Sequence, residues 1–546
     1  MPTVQEPPEG TNKPSRTPSK KAGPRLALAL WALGMLAWAP IAARAQYACT
    51  SPAPTSTWNL GASGSWTTAG NWTPGGVPNS SSTSVCVLSG GTVGLNTSVS
   101  IANLTVNNGN GVSVASGAGL NIDGTSVQNA GAITLNGGSG NNGVLGIGNN
   151  VTLQGSGVLN LTTTGGGGSA IVQQNTGGLT LTNQTTIQGS GVVGNGGLTL
   201  VNGASGVIQA GSGVGQGATL TLNGSGGITN NGQLGAFAGS TLAVTGNLTN
   251  YSGSTLTGGL YNANGTIQVN SFGSSGGEVL TNDANIVLDG SNGGAAELTD
   301  ASGSNALTSL ALNEGSLTVS GSANFITVTD LINSGLINIG TGSTMTVGGG
   351  SYSQAGGATQ VAGSFQTSAA NFTGGQLAGT GTIGTADNQA EVAMNGATLQ
   401  TGLVNPGTLT IFGNLATSAT TFNEMIGGGS PGSGYGVLDV NGAIALADSE
   451  LKLQDLGGFT PFNGETFDIA NGEFIAGEFN DNTINFAGGV FDASYLANGC
   501  SDGYANCIDL TWYGAETPTP EPASLPLLLT GMLGLGLFAL RRRVHA

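Results

Sequence analysis

The phrase GGLTLTN, with its first leucine at Leu179, returns as GGLTLVN at Leu198, GATLTLNG at Leu220 and GSTLAVTG at Leu242, at spacings of 19, 22 and 22 residues. Looser variants stand at Leu104 (ANLTVNN), Leu159 (GVLNLTT), Leu317 (GSLTVSG) and Met345 (STMTVGG). In each, Leu-x-Leu or Leu-x-Val places two apolar side chains on one face of a short strand and threonine or asparagine on the other. The asparagine or glycine that follows tolerates the positive φ that a tight corner needs. A unit of about 20 residues cannot bury an apolar face alone, whereas a stack of such units buries a continuous core. The pattern therefore predicts coils piled along an axis, hydrogen-bonded about 4.8 Å apart. The span 100–416 has room for roughly 15 coils of about 21 residues, a rod on the order of 70 Å.

Composition removes the competitors. Of the 546 residues, 100 are glycine, and each interior glycine costs a helix roughly 1 kcal/mol. Collagen would need glycine at every third position, and disorder comes with high charge and few β-branched residues. A string of small separate β-sandwiches is the rival all-β reading. Charge is scarce and uneven: between Gln46 and Leu540 stand 25 of the 27 acids and a single cation, Lys452, a formal charge of −24. A phosphate-binding surface needs lysine and arginine, which excludes nucleic acid, and anionic membrane surfaces fall on the same ground. Stacked coils explain the scarcity, because in-register like charges repel, while Thr, Ser and Asn stack and hydrogen-bond along the ladder.

The ends read as addresses. Lys20, Lys21 and Arg25 precede the apolar run LALALWALGMLAWAPIAA, which ends at Ala43-Arg44-Ala45. Basic flank, apolar stretch and small residues predict a secretory signal cleaved before Gln46. At the other end, the 18 uncharged residues 523–540 follow Pro520-Glu521-Pro522 and precede Arg541, Arg542 and Arg543. As a helix they would extend about 27 Å, just enough for a hydrocarbon core, and the arginines would stay cytoplasmic.

That C-terminal order, Pro-Glu-Pro, apolar helix, arginine cluster, resembles the PEP-CTERM sorting signal of Gram-negative bacteria over about 27 residues. The resemblance implies an exosortase-type membrane enzyme as partner, inner-membrane anchoring before processing, and final placement at the cell surface or outside, with exopolysaccharide. Two further stretches are similar to autotransporter passengers. The tryptophan-rich segment with Trp58, Trp66 and Trp72 resembles their openings, and its aromatics are expected to cover the first coil rather than to stack on sugars. The stretch 405–481 resembles their last coils, through Asn405-Pro406-Gly407-Thr408-Leu409-Thr410, Tyr435-Gly436-Val437-Leu438-Asp439-Val440 and Phe459-Thr460-Pro461 before Gly464-Glu465-Thr466-Phe467. No run of alternating amphipathic strands follows it, so self-export through a barrel is not expected.

Cysteines 49, 86, 500 and 507 form an even set in an exported chain and predict disulfides. Three pairings are possible, and proximity favours Cys49–Cys86 and Cys500–Cys507. Little else offers chemistry. His545 is the only histidine, so Ser-His-Asp or Cys-His sites are excluded from the exported part. Gly273-Ser274-Ser275-Gly276-Gly277 fits G-x-S-x-G, as chance allows with so much glycine. A glycosidase needs two carboxylates about 5 to 9.5 Å apart; Asp283 with Asp289, or Glu297 with Asp300, are candidates but read as solvated turn acids. GGSGNNGVL at 137–145 has the outline of a calcium nonapeptide, with Asn142 where aspartate is needed.

The expected fold is all-β, a right-handed parallel β-helix or solenoid with N- and C-terminal caps plus a single C-terminal transmembrane helix. The expected organisation is a signal peptide (1–45), a Trp-rich cap (46–99), solenoid repeats (100–416), a C-terminal β cap (417–514) and the sorting signal (515–546). No enzyme activity, cofactor or metal is expected. The expected function is an exported structural or adhesive surface protein, the alternative a polysaccharide-active β-helix enzyme.

Overall fold

The computed structural model describes Cys49, residues 54–215 and 217–497, Cys500 and residues 504–514. The chain divides into two compact units, Met1–Ala42 and Ala43–Ala546. The first lies outside the described residues, and the second holds all the described strands. Its secondary structure is nearly all strand, with three single-turn 3-10 helices among the described residues.

The strands form three parallel ladders, here called faces one, two and three. The chain visits one after another before starting the next coil. Face one begins with Ser56–Trp58 paired to Val85–Val87, and face two with Gly64–Ser65 paired to Gly91–Leu95. The two join into one 33-stranded sheet because strands such as Val151–Thr163 and Thr281–Asp289 turn the corner unbroken. Face three is a 9-stranded ladder ending at Glu297–Thr299, resumed as a 10-stranded one from Asn324–Thr327. Parallel pairing on face one continues to Ala443↔Phe474.

Alternation builds the core, as the leucine phrase predicts. On face three Leu120 lies beside Leu145, then Val172, Val193, Leu222 and Val244 on successive coils, and all are buried. Each such side chain contributes roughly 1.5–3 kcal/mol by leaving water, and one continuous cluster runs from Trp58 to Trp512.

The phrase, however, does not mark one ladder. Leu181 pairs with Leu200 on face one, Leu220 with Leu242 on face three, while Leu159 and Leu317 belong to face two. The spacing from Leu198 to Leu220 is therefore a change of face and not a coil. Partners lie 18 residues apart at Phe365↔Ile383 and 31 apart at Asn282↔Asn313, because corner loops absorb insertions.

Asparagine has a different role from the one its position suggests. Among the described residues Asn292 is the only asparagine with positive φ (57°). Two phrase-ending asparagines, Asn183 and Asn202, instead turn inward at the corner between faces one and two. Asn183 donates from Nδ2 to Oδ1 of Asn202 (2.9 Å), and Asn202 donates likewise to Asn230 (2.9 Å). A second run links Asn282 to Asn313 (2.8 Å), Asn313 to Asn333 (2.7 Å) and Asn333 to Oε1 of Gln354 (3.1 Å). All seven side chains are at most 1% exposed. The pairing register skips at this corner even where the strand runs on, and the inward amides add bonds to carbonyls beside it: Asn202 also donates to Gln233 O, and Asn313 to Leu336 O.

Both ends of the core are covered. Trp58, Trp66 and Trp72 are at most 2% exposed and meet edge to face, with Trp72 4.9 Å from Trp58 and 4.8 Å from Trp66. Their indole N–H groups donate to Ala62 O, Pro78 O and Trp66 O respectively, so these rings are packed away from any sugar. At the far end the order turns antiparallel, with Thr466–Gly472, Gly489–Ala497 and Asn506–Gly514 side by side. Phe467 packs against Tyr435 and Phe491 there.

Cys49 is bonded to Cys86 and Cys500 to Cys507, with Cα atoms 6.1 and 5.7 Å apart, within disulfide reach. Of the three possible pairings this is the one that proximity favours. Among the described residues no helix is long and apolar enough to cross a membrane; the expected span, 523–540, lies outside them.

Candidate functional surface

Strand alternation that turns leucines inward turns every second side chain outward. On face two this produces one column across the coils. Ser113 pairs with Thr134, which is followed on successive coils by Asn160, Gln188 and Gln209. Past Gly235, Asn262 and Val287 the column continues through Thr318, Asn338 and Gln360, and past Ala378 through Gln400 and Asn423. Thr318, Asn338 and Gln400 are buried, however, so the unbroken accessible stretch is the one from Ser113 to Gln209. No member is charged until Lys452, beside Asn423. Lys452 itself is exposed and 3.0 Å from Glu450, an exposed pair of small energetic weight.

The amides bond along the axis. Gln188 donates from Nε2 to Asn160 Oδ1 (2.9 Å), and Gln209 to Gln188 Oε1 (3.0 Å). Gln400 Oε1 accepts from Asn423 (2.8 Å) and from Gln376 (3.2 Å) on the adjacent outward position. An amide nitrogen carries two hydrogens and its oxygen two lone pairs, so the single ladder bonds of Asn160 and Gln209 leave capacity for a ligand. Gln400, which also donates to Gly402 O and Leu403 O, is fully engaged. The sequence phrase signalled polar outward positions. It did not show which of them share a face, because the phase of each coil depends on its loop lengths.

Of the four carboxylates named from sequence, Asp289 and Asp300 are spent on turns. Asp289 accepts from the N–H (3.0 Å) and hydroxyl (2.9 Å) of Ser291. Asp300 is buried and accepts from the N–H groups of Gly276, Ser302 and Ser304 and the hydroxyl of Ser302. Burial opposes its ionisation, but those bonds prevail and bring its carboxyl down to about 2. A group held ionised in this way is no general acid. Asp283 and Glu297 are exposed strand residues, and the G-x-S-x-G segment is a loop whose N–H groups at 275 and 276 are held by Glu278 Oε1 (2.7 and 2.8 Å).

Another acid, unremarked in the sequence, is also buried. Glu424, in Thr421–Ile426, points inward and is 1% exposed. It accepts a hydrogen bond from the Thr401 hydroxyl on the preceding coil. Burial pushes its carboxyl up to about 8, with the Thr401 bond opposing, so at neutral pH it is predominantly protonated. Gly436 closes the site, since a Cβ there would collide with both Thr401 Oγ1 and Glu424 Oε2.

The calcium-like turn is also committed. Asn142 Oδ1 accepts from the Ser169 N–H of the next coil (2.8 Å). Among the described residues no group of three His, Cys, Asp or Glu is placed to hold a metal ion. Asn142→Ala is expected to lower stability by about 1 kcal/mol through that lost bond, read as a shift in the urea midpoint at unchanged m-value.

The sorting residues Pro520, Glu521, Pro522, Arg541, Arg542 and Arg543, and the cleavage residues Ala43, Ala45 and Gln46, lie outside the described residues. No family model matches the chain, and no curated protein matches it. Among solved structures it is similar to the Haemophilus influenzae Hap adhesin, at 11% identity and a TM-score of 0.21, over 79% of this chain and 64% of that one. The chain thus spans less than two thirds of that adhesin. A likeness so loose carries no argument, and the β-helical architecture rests on the ladders themselves.

Proposed function

We propose that the protein is an exported, non-enzymatic structural or adhesive component of the cell surface or extracellular matrix. Its working surface is face two, which makes weak, repeated contacts with polysaccharide. The observation that supports this reading is the uncharged amide and hydroxyl column that runs unbroken from Ser113 to Gln209 at the strand spacing of about 4.8 Å and resumes, with apolar gaps, as far as Asn423. Weak contacts repeated along one polymer gain through effective concentration. The coil is taken as right-handed, the hand that parallel crossovers adopt.

Delivery fits the same reading: a signal peptide ending at Ala45, then a Pro520-Glu521-Pro522 signal handled by an exosortase-type enzyme, with exopolysaccharide as the matrix partner. Retention of the full chain on immobilised exopolysaccharides tests the first half. Binding is expected, and its absence from every polysaccharide offered would remove the proposal. Replacing Arg541, Arg542 and Arg543 by alanine tests the second half. Processing and location are expected to change, and an unaltered pattern would refute the sorting role.

A further inference from the structure

We infer that the ligand of face two is a neutral, extended glycan lying parallel to the coil axis, one sugar to roughly one rung. The inference rests on the polysaccharide reading above and narrows it.

Three observations carry it. The first is direction: the outward amides are ordered along the axis by their own bonds, Gln209 to Gln188 to Asn160. Donors and acceptors therefore recur along a line over the rungs from Asn160 to Gln209. A ribbon-like β-linked chain can follow that line, whereas a coiled α-linked chain leaves it after a few units. The second is charge. The column lacks cations, and the span from Gln46 to Leu540 carries a formal −24, so an acidic glycan meets repulsion and finds no countercharge. The third is the lack of an aromatic ring among the column's members. The strand aromatics Tyr261, Tyr352 and Phe422 are turned inward and buried. Without a stacking platform each sugar contributes only hydrogen bonds, individually weak, so affinity must grow with the number of rungs engaged.

The test uses the full chain with three soluble probes: a cello-oligosaccharide length series, a malto-oligosaccharide length series and an oligogalacturonate. Cello-oligosaccharides are expected to bind roughly two- to tenfold tighter for each added sugar, with little dependence on salt. The double variant Gln188→Glu with Gln360→Glu is expected to bind about tenfold more weakly through lost amide donors. Gln173→Glu, on face three, is expected to bind as the parent does. Circular dichroism confirms that each variant keeps its strand content. Affinity independent of length, equal binding of the malto series or the galacturonate, or equal weakening by Gln173→Glu would each overturn this inference while leaving polysaccharide binding intact. Failure of every glycan, polymers included, would remove the broader proposal too.

Discussion

Asn202→Ala is expected to destabilise the β-helix by roughly 2–4 kcal/mol, more than any outward amide. Asn202 is fully buried and links three coils, accepting from Asn183 and donating to Asn230 and to Gln233 O. Its removal strands the Asn230 Oδ1 in a dry corner, an unsatisfied buried group that costs about 1–3 kcal/mol. It also leaves a cavity that adds to the loss, while the Gln233 carbonyl loses its second donor. Asn183 keeps its bond to Thr185 O, which limits the loss on that side. Asn202→Leu is expected to fare no better, because the partners above and below stay polar. An outward comparison, Asn160→Ala, should cost less than about 1 kcal/mol, since water replaces its partner. Urea unfolding of the three variants measures this. Equal midpoints for Asn202→Ala and Asn160→Ala would show that the inner ladder is not a structural element.

The second large effect is a pH dependence traced to Glu424. Below its ordinary value of 4.5 both the native and the unfolded chain hold the proton. From there to about 8 the unfolded chain releases it while the buried carboxyl keeps it, so stability falls by about 1.4 kcal/mol per pH unit. Above about 8 both forms are ionised and the slope ends. The total is roughly 4–5 kcal/mol lost between pH 4.5 and 8. Asp509, raised by burial and then by Asp468 across the antiparallel pair, acts in the same direction. Asp300 titrates lower and acts in the opposite sense. Glu424→Gln keeps the shape and a partner for Thr401 with no charge to lose, so its stability should be nearly flat across that window. A variant as pH-sensitive as the parent would show that Glu424 is not the source.

The fold class was legible in the residues alone. Leu-x-Leu phrases among glycines, with charge nearly absent, admit little besides stacked parallel coils, and the buried column from Leu120 to Val244 has the predicted form. The covering tryptophans were legible too, since three large aromatics beside the first coil have an open core to close. Face membership was not. Leu200 and Leu220 sit in the same local pattern and on different faces, because coils of 18 to 32 residues shift the phase in ways no local window contains.

Local physics, alternation, glycine content and the cost of stacking like charges, was enough to dictate strands, coils and a neutral exterior. Which asparagines turn inward, which amides align on face two, and that Glu424 is sealed against Thr401 and Gly436 were settled only when distant coils came into register. The physical reason is that inward and outward differ by one residue of phase, and phase is set by what each coil lies on.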